Sequence, residues 1–286
     1  MILLATHRTV YEYPSPAFES HNEVRLMPLT DDSQTCREFR VDVLPRVPVF
    51  SYEDIGGTVH HFGVRQPHVR MEIVATATVE TRRSDPYADV DLLTDGWDFY
   101  AADENRQANV EYLTESPYVT FHPEAARIAQ EVRRGATGIA TFLLDLNRHI
   151  NELLTYDTDA THVHSTLDEV LEKRAGVCQD YAHLMIACCR TQGVPTRYVS
   201  GYLYGGPGIR GEQATHAWLE CLLPQGRWLA LDPTNALLAN DHHIRVHVGR
   251  DYSEVAPTKG VYVGPPASRL LVEVSVVAAS PASVSA

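Results

Sequence analysis

Three residues in the second half of this 286-residue chain have the types and order needed to attack an amide: Cys178, His216 and Asp232. A thiol is a nucleophile, an imidazole can move a proton to and from it, and a carboxylate can hold the imidazole in the useful tautomer. Cys178 follows Gly176, which permits a tight turn, and the run from Cys178 to Gln192 contains neither Pro nor Gly. Gly193 and Pro195 then stop the run as a helix is stopped, so Cys178 is expected at or near a helix N-terminus. Unpaired amides and the positive dipole end at such a place favour a thiolate and can hold an oxyanion. Cys188 and Cys189 sit two to three turns deeper, among Leu184, Met185 and Ile186, and read as core.

His216 and Asp232 flank Pro224-Gln225-Gly226, a turn signal between two apolar runs, which predicts a hairpin. A turn centred at residue 224 sets His216 opposite Asp232, with Cβ atoms about 4.5 to 5.5 Å apart, so that the carboxylate can accept the Nδ1 proton. A slip of one residue would put the two on opposite faces. Trp218 is expected beside His216 on the hairpin face, where it would shield the pair from water.

The elements that must carry these residues are of two textures. Up to about residue 105, short alternating runs such as 37–44, 58–64 and 69–80, separated by Pro and Gly, predict antiparallel strands in a sandwich. A polar, Asp- and Asn-rich segment around 100–109 marks the boundary. Beyond it come helices, one opening at Pro123 and one over about 138–156 whose Ile139, Phe142, Leu143, Leu146, Ile150 and Leu153 form one buried face. Strands return from Thr196. The expected division is a β-rich domain over 1–105, a catalytic domain over 106–277 and a loose tail over 278–286.

An apolar content of 44% can fill a large core, and the formal charge of −13 argues against general attraction to nucleic acid or anionic lipid. No apolar run approaches membrane-spanning length, and the N-terminus lacks a signal-peptide pattern, so a cytoplasmic protein is expected. Five cysteines without a regular framework predict free thiols rather than structural disulfides. His162 and His164, with His243 and His247, raise a zinc reading, but matching Cys or carboxylate spacing is missing and the last two fall in strand-like alternation. Neither a metal nor another cofactor is expected.

The segments Ala175-Gly-Val-Cys-Gln-Asp-Tyr-Ala-His183, Val194-Pro-Thr-Arg-Tyr-Val-Ser-Gly-Tyr202, Thr215-His-Ala-Trp218 and Leu231-Asp-Pro-Thr-Asn235 together resemble the bacterial transglutaminase-like superfamily, members of which are described as cysteine proteases. Val248-Gly-Arg-Asp-Tyr-Ser-Glu-Val255 and the early Ser20-His-Asn-Glu-Val-Arg-Leu-Met-Pro28 resemble further segments of this subgroup. The resemblance implies an α+β fold with a papain-like core, its central Cys-bearing helix packed on an antiparallel sheet that carries His and Asp, preceded by a β-rich region. It also implies a cysteine-dependent amide hydrolase or acyltransferase acting on peptide or glutamyl amides through a thioester on Cys178. The alternative is a non-catalytic peptide- or protein-binding module on the same scaffold, and the oligomeric state stays open. Gln179 and Tyr202 are candidates for a second oxyanion donor, and Arg250, Asp251 and Tyr252 either border the cleft or form a solvated turn.

Overall fold

The computed structural model describes residues 1–279 except 84, 88–89, 91–95, 207–208, 212–213 and 267. The β-rich part starts from one long strand, β1 (Ile2–Val24), followed by β2 (Gln34–Leu44), β3 (Phe50–Glu53), β4 (Thr58–Val64) and β5 (His68–Thr81). Pro14 and Pro16 interrupt the ladder of β1, and Glu19 takes a positive φ of 48°, so the strand bends. Its first half pairs with β5 and its second half with β4. Two sheets thus share one strand. Tyr13, Val24, Phe62, Val64, Met71 and Ile73 form a common core there, as inward alternation requires.

The helical part comprises α1 (Trp97–Ala101), α2 (Asp103–Ala108), α3 (Pro123–Gly135), α4 (Ile139–Leu153), α5 (Leu167–Lys173) and α6 (Cys178–Thr191). Two short parallel strands, β6 (Thr155–Tyr156) and β7 (Ala175–Gly176), tie the end of α4 to the start of α6. The predicted face of α4 is buried at Ile139, Phe142, Leu143, Leu146 and Ile150. Helix α6 is buried from Cys178 to Arg190, which makes it the centre of the core. It packs on an antiparallel sheet of order β11-β10-β9-β8-β12, made of β8 (Thr196–Leu203), β9 (His216–Leu222), β10 (Trp228–Asp232), β11 (Leu237–Leu238) and β12 (His243–Gly249).

After α7 (Tyr252–Val255), the chain leaves the part built on α6 and its sheet. Strands β13 (Thr258–Val263) and β14 (Arg269–Ala278) return to the first sheets and pair with the two halves of β1. This pairing departs from the expected division in two places. Residues 258–277 belong with the β-rich region; Ala278 pairs with Leu3 instead of opening a tail; and 280–286 lie outside the described residues. The polar segment at 100–109, expected as a boundary, is not a loop. It forms α1 and α2, with Tyr100 buried and its hydroxyl donating to the Leu222 carbonyl at 2.8 Å.

The two parts are stitched along β12. Gln34 is buried and donates to the Leu29 and Arg245 carbonyls at 2.7 and 2.8 Å, while its own oxygen accepts the Arg245 amide at 2.8 Å. Arg245 pairs with Asp31 across the junction and with Glu220 beneath it. Among the described residues, no helix is long and apolar enough to cross a membrane.

Buried histidines make this fold sensitive to acid. Burial pushes His7 down to about 4 and His183 to about 3. Both take a proton in the unfolded chain below about 6.5 while the fold keeps them neutral, so stability falls as pH drops through that value. Between pH 6.5 and 5 the two together are expected to remove about 3 kcal/mol. Melting curves should show Tm falling over this range, and His7→Gln should flatten the fall; an equal slope in that variant would contradict the assignment.

Candidate active site

Cys178 opens α6 because the preceding turn is locked from both sides. Asp180 Oδ2 accepts the Val177 amide at 2.8 Å and the Thr161 hydroxyl at 2.6 Å, so the third residue of the helix caps its own start. The carboxylate needs the space beside Gly176, where a Cβ would collide with it. The first-turn amides of Cys178 and Gln179 have no carbonyl one turn back and remain available as donors. Cys178 is 8% exposed, and its Sγ stands 3.9 Å from the Thr215 carbonyl, next to His216 in sequence.

His216 and Asp232 are both fully buried and joined by Nε2–H donating to Oδ2 at 2.8 Å. Two details of the expected pairing are corrected. The ladder runs Leu222 with Trp228 through Leu219 with Leu231, so the turn centres one residue later than expected and Asp232 lies diagonal to His216 rather than opposite. A shift of two in partner preserves the face, which is why the contact survives. The ring atom engaged is Nε2, not Nδ1. Nδ1 faces away from the carboxylate and is buried without a hydrogen-bond partner.

Asp232 is satisfied on every side. Oδ1 accepts the Thr234 amide at 3.0 Å and the Asn235 amide at 3.3 Å, while Oδ2 also accepts Asn235 Nδ2 at 2.8 Å and His243 Nε2 at 3.2 Å. Burial alone would raise this carboxyl, but its charge attraction and hydrogen bonds to His216 and His243 outweigh burial and hold it well below the carboxylate range. Burial would likewise lower His216, yet Asp232 and then Cys178 outweigh it and raise the imidazole well above its usual value. The arrangement can thus carry a protonated imidazole beside a sulfur nucleophile.

Trp218 is buried and covers this pair, its ring 5.9 Å from His216 and edge-on to His243 at 5.2 Å. Gly201 makes room for it, since a Cβ there would strike the indole. On the open side, Gly211 at φ +90° lies so close to His216 Nδ1 that a Cβ would collide with the ring.

The other expected site residues fall in different places. Gln179 adjoins Cys178, but its side-chain amide is tied to the Val163 carbonyl at 3.2 Å. Tyr202 does not reach the site: its hydroxyl donates to the Leu26 carbonyl at 3.0 Å in the junction with the β-rich part, where packing on Leu3, Ala5 and Ile244 holds it. Asp251 is a buried clasp, accepting the Tyr118 amide at 2.8 Å and the Ser253 amide at 2.8 Å, and is not a solvated turn. His164 Nδ1 meets the Tyr118 hydroxyl at 2.8 Å beside the loop that holds Gln179. His243 was legible only as a strand residue. Among the described residues, His216, Asp232 and His243 converge, with one ligand atom of each within 4.8 Å of the others, and each imidazole Nε2 is hydrogen-bonded to the carboxylate.

Residues 126–233 match the Transglutaminase-like superfamily and residues 4–80 the Bacterial transglutaminase-like N-terminal region. An uncharacterized protein of Mycobacterium leprae is 34% identical over 275 residues, which is 94% of this chain and 96% of that protein. This chain belongs to the transglutaminase-like superfamily. A protein-glutamine gamma-glutamyltransferase of Pseudomonas aeruginosa is 30% identical over 122 residues, 40% of this chain but 18% of that enzyme. In fold, the chain is similar to the crystal structure of a "Putative Cysteine Protease" from Cytophaga hutchinsonii, with a TM-score of 0.77, 20% identity and coverage of 98% and 92% of the two chains. The α+β, papain-like architecture of the family is therefore present here together with its β-rich N-terminal region.

Proposed function

We propose that the protein is a cysteine-dependent acyl-transfer enzyme that cleaves peptide or glutamyl amides through a thioester on Cys178. The observation that carries this reading is the buried His216–Asp232 pair at 2.8 Å beside a cysteine that opens the central helix. Cys178 Sγ attacks the amide carbonyl carbon, forming a C–S bond, and the oxyanion is met by the first-turn amides. His216 gives its Nδ1 proton to the leaving nitrogen as the C–N bond breaks, and ammonia or an amine departs. Water or a second amine then attacks the thioester and loses its proton to Nδ1, releasing the acid or a new amide and restoring the thiolate–imidazolium pair. The gamma-glutamyltransferase relative supports glutamine amides as the donor class. A reducing compartment such as the cytoplasm suits an enzyme whose five cysteines are all free.

Incubation with glutamine-containing peptides, with and without a primary amine, tests the reading by intact mass. An acyl adduct on Cys178 that is discharged faster by the amine is expected. Failure of every peptide to acylate Cys178, with no amine incorporated, would refute it.

A further inference from the structure

His243 has no part in the three-residue mechanism, yet it is buried against the same carboxylate oxygen as the catalytic imidazole. Its Nε2 lies 3.2 Å from Asp232 Oδ2, which also accepts His216 Nε2 at 2.8 Å. An ionised carboxylate can only accept, so Nε2 of His243 carries the proton; Nδ1 is then free to accept the Asn240 amide at 3.2 Å. The ring has no slack. Trp218 stands edge-on to it, and β12 is held in place by the Gln34 clasp on Arg245 and by the Thr81 hydroxyl donating to the Asp241 carbonyl at 2.7 Å.

Three N–H donors, from His216, His243 and the Asn235 side chain, compete for this one oxygen. Each draws on the same lone-pair density, so an added donor makes the carboxylate a weaker base and loosens its grip on the first. Orientation is a separate matter, because Oδ1 is pinned independently by the Thr234 and Asn235 amides. We propose that His243 acts through Asp232 to weaken the carboxylate's stabilisation of the His216 imidazolium, held at Nε2, so that the imidazolium releases its Nδ1 proton more readily to the leaving amine. His243 touches Asp232 and not the reacting atoms; it is a positioning residue in a four-membered chain. The groups that face it are Asp232 from β10, His216 and Trp218 from β9, Asn240 from its own turn, and Arg83 from the segment after β5. Burial lowers His243 below its ordinary value. This inference rests on the acyl-transfer reading.

The test is the pH profile of Cys178 alkylation by iodoacetamide, read by intact mass on the full chain, whose upper inflection reports loss of the His216 proton. In His243→Met the inflection is expected to rise by about 0.5 to 1 pH unit. In His243→Gln, whose side-chain amide can donate to the same oxygen, it should return to the wild-type position. A purely structural role would lower Tm in both variants and leave the inflection in place, which would overturn the proposal, as would a downward shift or a Gln variant that behaves like Met. If His243→Met does not fold, His243→Leu beside His243→Gln supplies the same contrast. A wild-type Cys178 that resists alkylation would sink the acyl-transfer reading and this one with it; a reactive Cys178 with an inflection indifferent to His243 sinks this one alone.

Discussion

Cys178→Ala is expected to lower acyl transfer by about 10⁵-fold or more, with little change in Tm. The size follows from covalent chemistry: without the sulfur no thioester forms, and His216 and the helix amides can only orient water. The small structural effect follows from position, since the cap of α6 is built by Asp180, Val177 and Thr161 and not by the thiol. Alkylation provides the companion measurement. Cys188, Cys189 and Cys221 are fully buried, and burial pushes the thiols of Cys188 and Cys189 far up, so they should stay unlabelled. Cys36 is half-buried and raised by burial, so it should label slowly. Label should appear first at Cys178 and vanish in the alanine variant. Rapid labelling of Cys188 with Cys178 inert would remove the nucleophile from the mechanism.

Asp232→Asn is expected to cost about 10⁴-fold in turnover with a smaller change in substrate affinity. The amide oxygen can still accept the Thr234 and Asn235 amides, so the turn after β10 is retained. What is lost is the negative charge that keeps His216 protonated against burial. With that charge removed, burial dominates and the His216 value falls, so the alkaline limb of the activity profile should move to lower pH. Stability responds through both groups. A raised His216 contributes fully below about pH 6.5, and that contribution is withdrawn as pH rises through its folded value; a depressed Asp232 contributes above about pH 4 and is lost only in stronger acid. The variant should therefore lose stability most between about pH 4 and 6.5, where both contributions are complete. An unchanged rate, or an alkaline limb that moves upward, would refute the role assigned to Asp232.

The catalytic helix and the hairpin were legible because their signals are local. Gly176 before Cys178, Gly193 after Gln192, Pro123 at a helix start and the Pro224–Gly226 turn each act within a few residues. The hairpin also shows why parity matters more than exact register: the turn centre was off by one residue, the partner by two, and the His216–Asp232 contact persisted. The missed features are all non-local. Nothing in the sequence near β13 and β14 names β1 as their partner. The Tyr202 hydroxyl finds the Leu26 carbonyl across the junction, and His243 finds Asp232 across the sheet, in each case through an arrangement no window of sequence contains.

The return of β14 to β1 sets an order for synthesis. Leu3 waits for Ala278, so the catalytic part is folded inside a loop whose closing pairs form only once almost all of the described chain exists. Such closure is entropically costly and slow. Val274 from that late strand packs in the same cluster as Ile244 and Val246, the neighbours of His243 and Arg245 on β12. A nascent chain halted after α7 would therefore hold the thiol, the imidazole and the carboxylate while leaving β12 without part of its backing. Activity in a growing chain should arrive with its last strands, well after the last catalytic residue has been made.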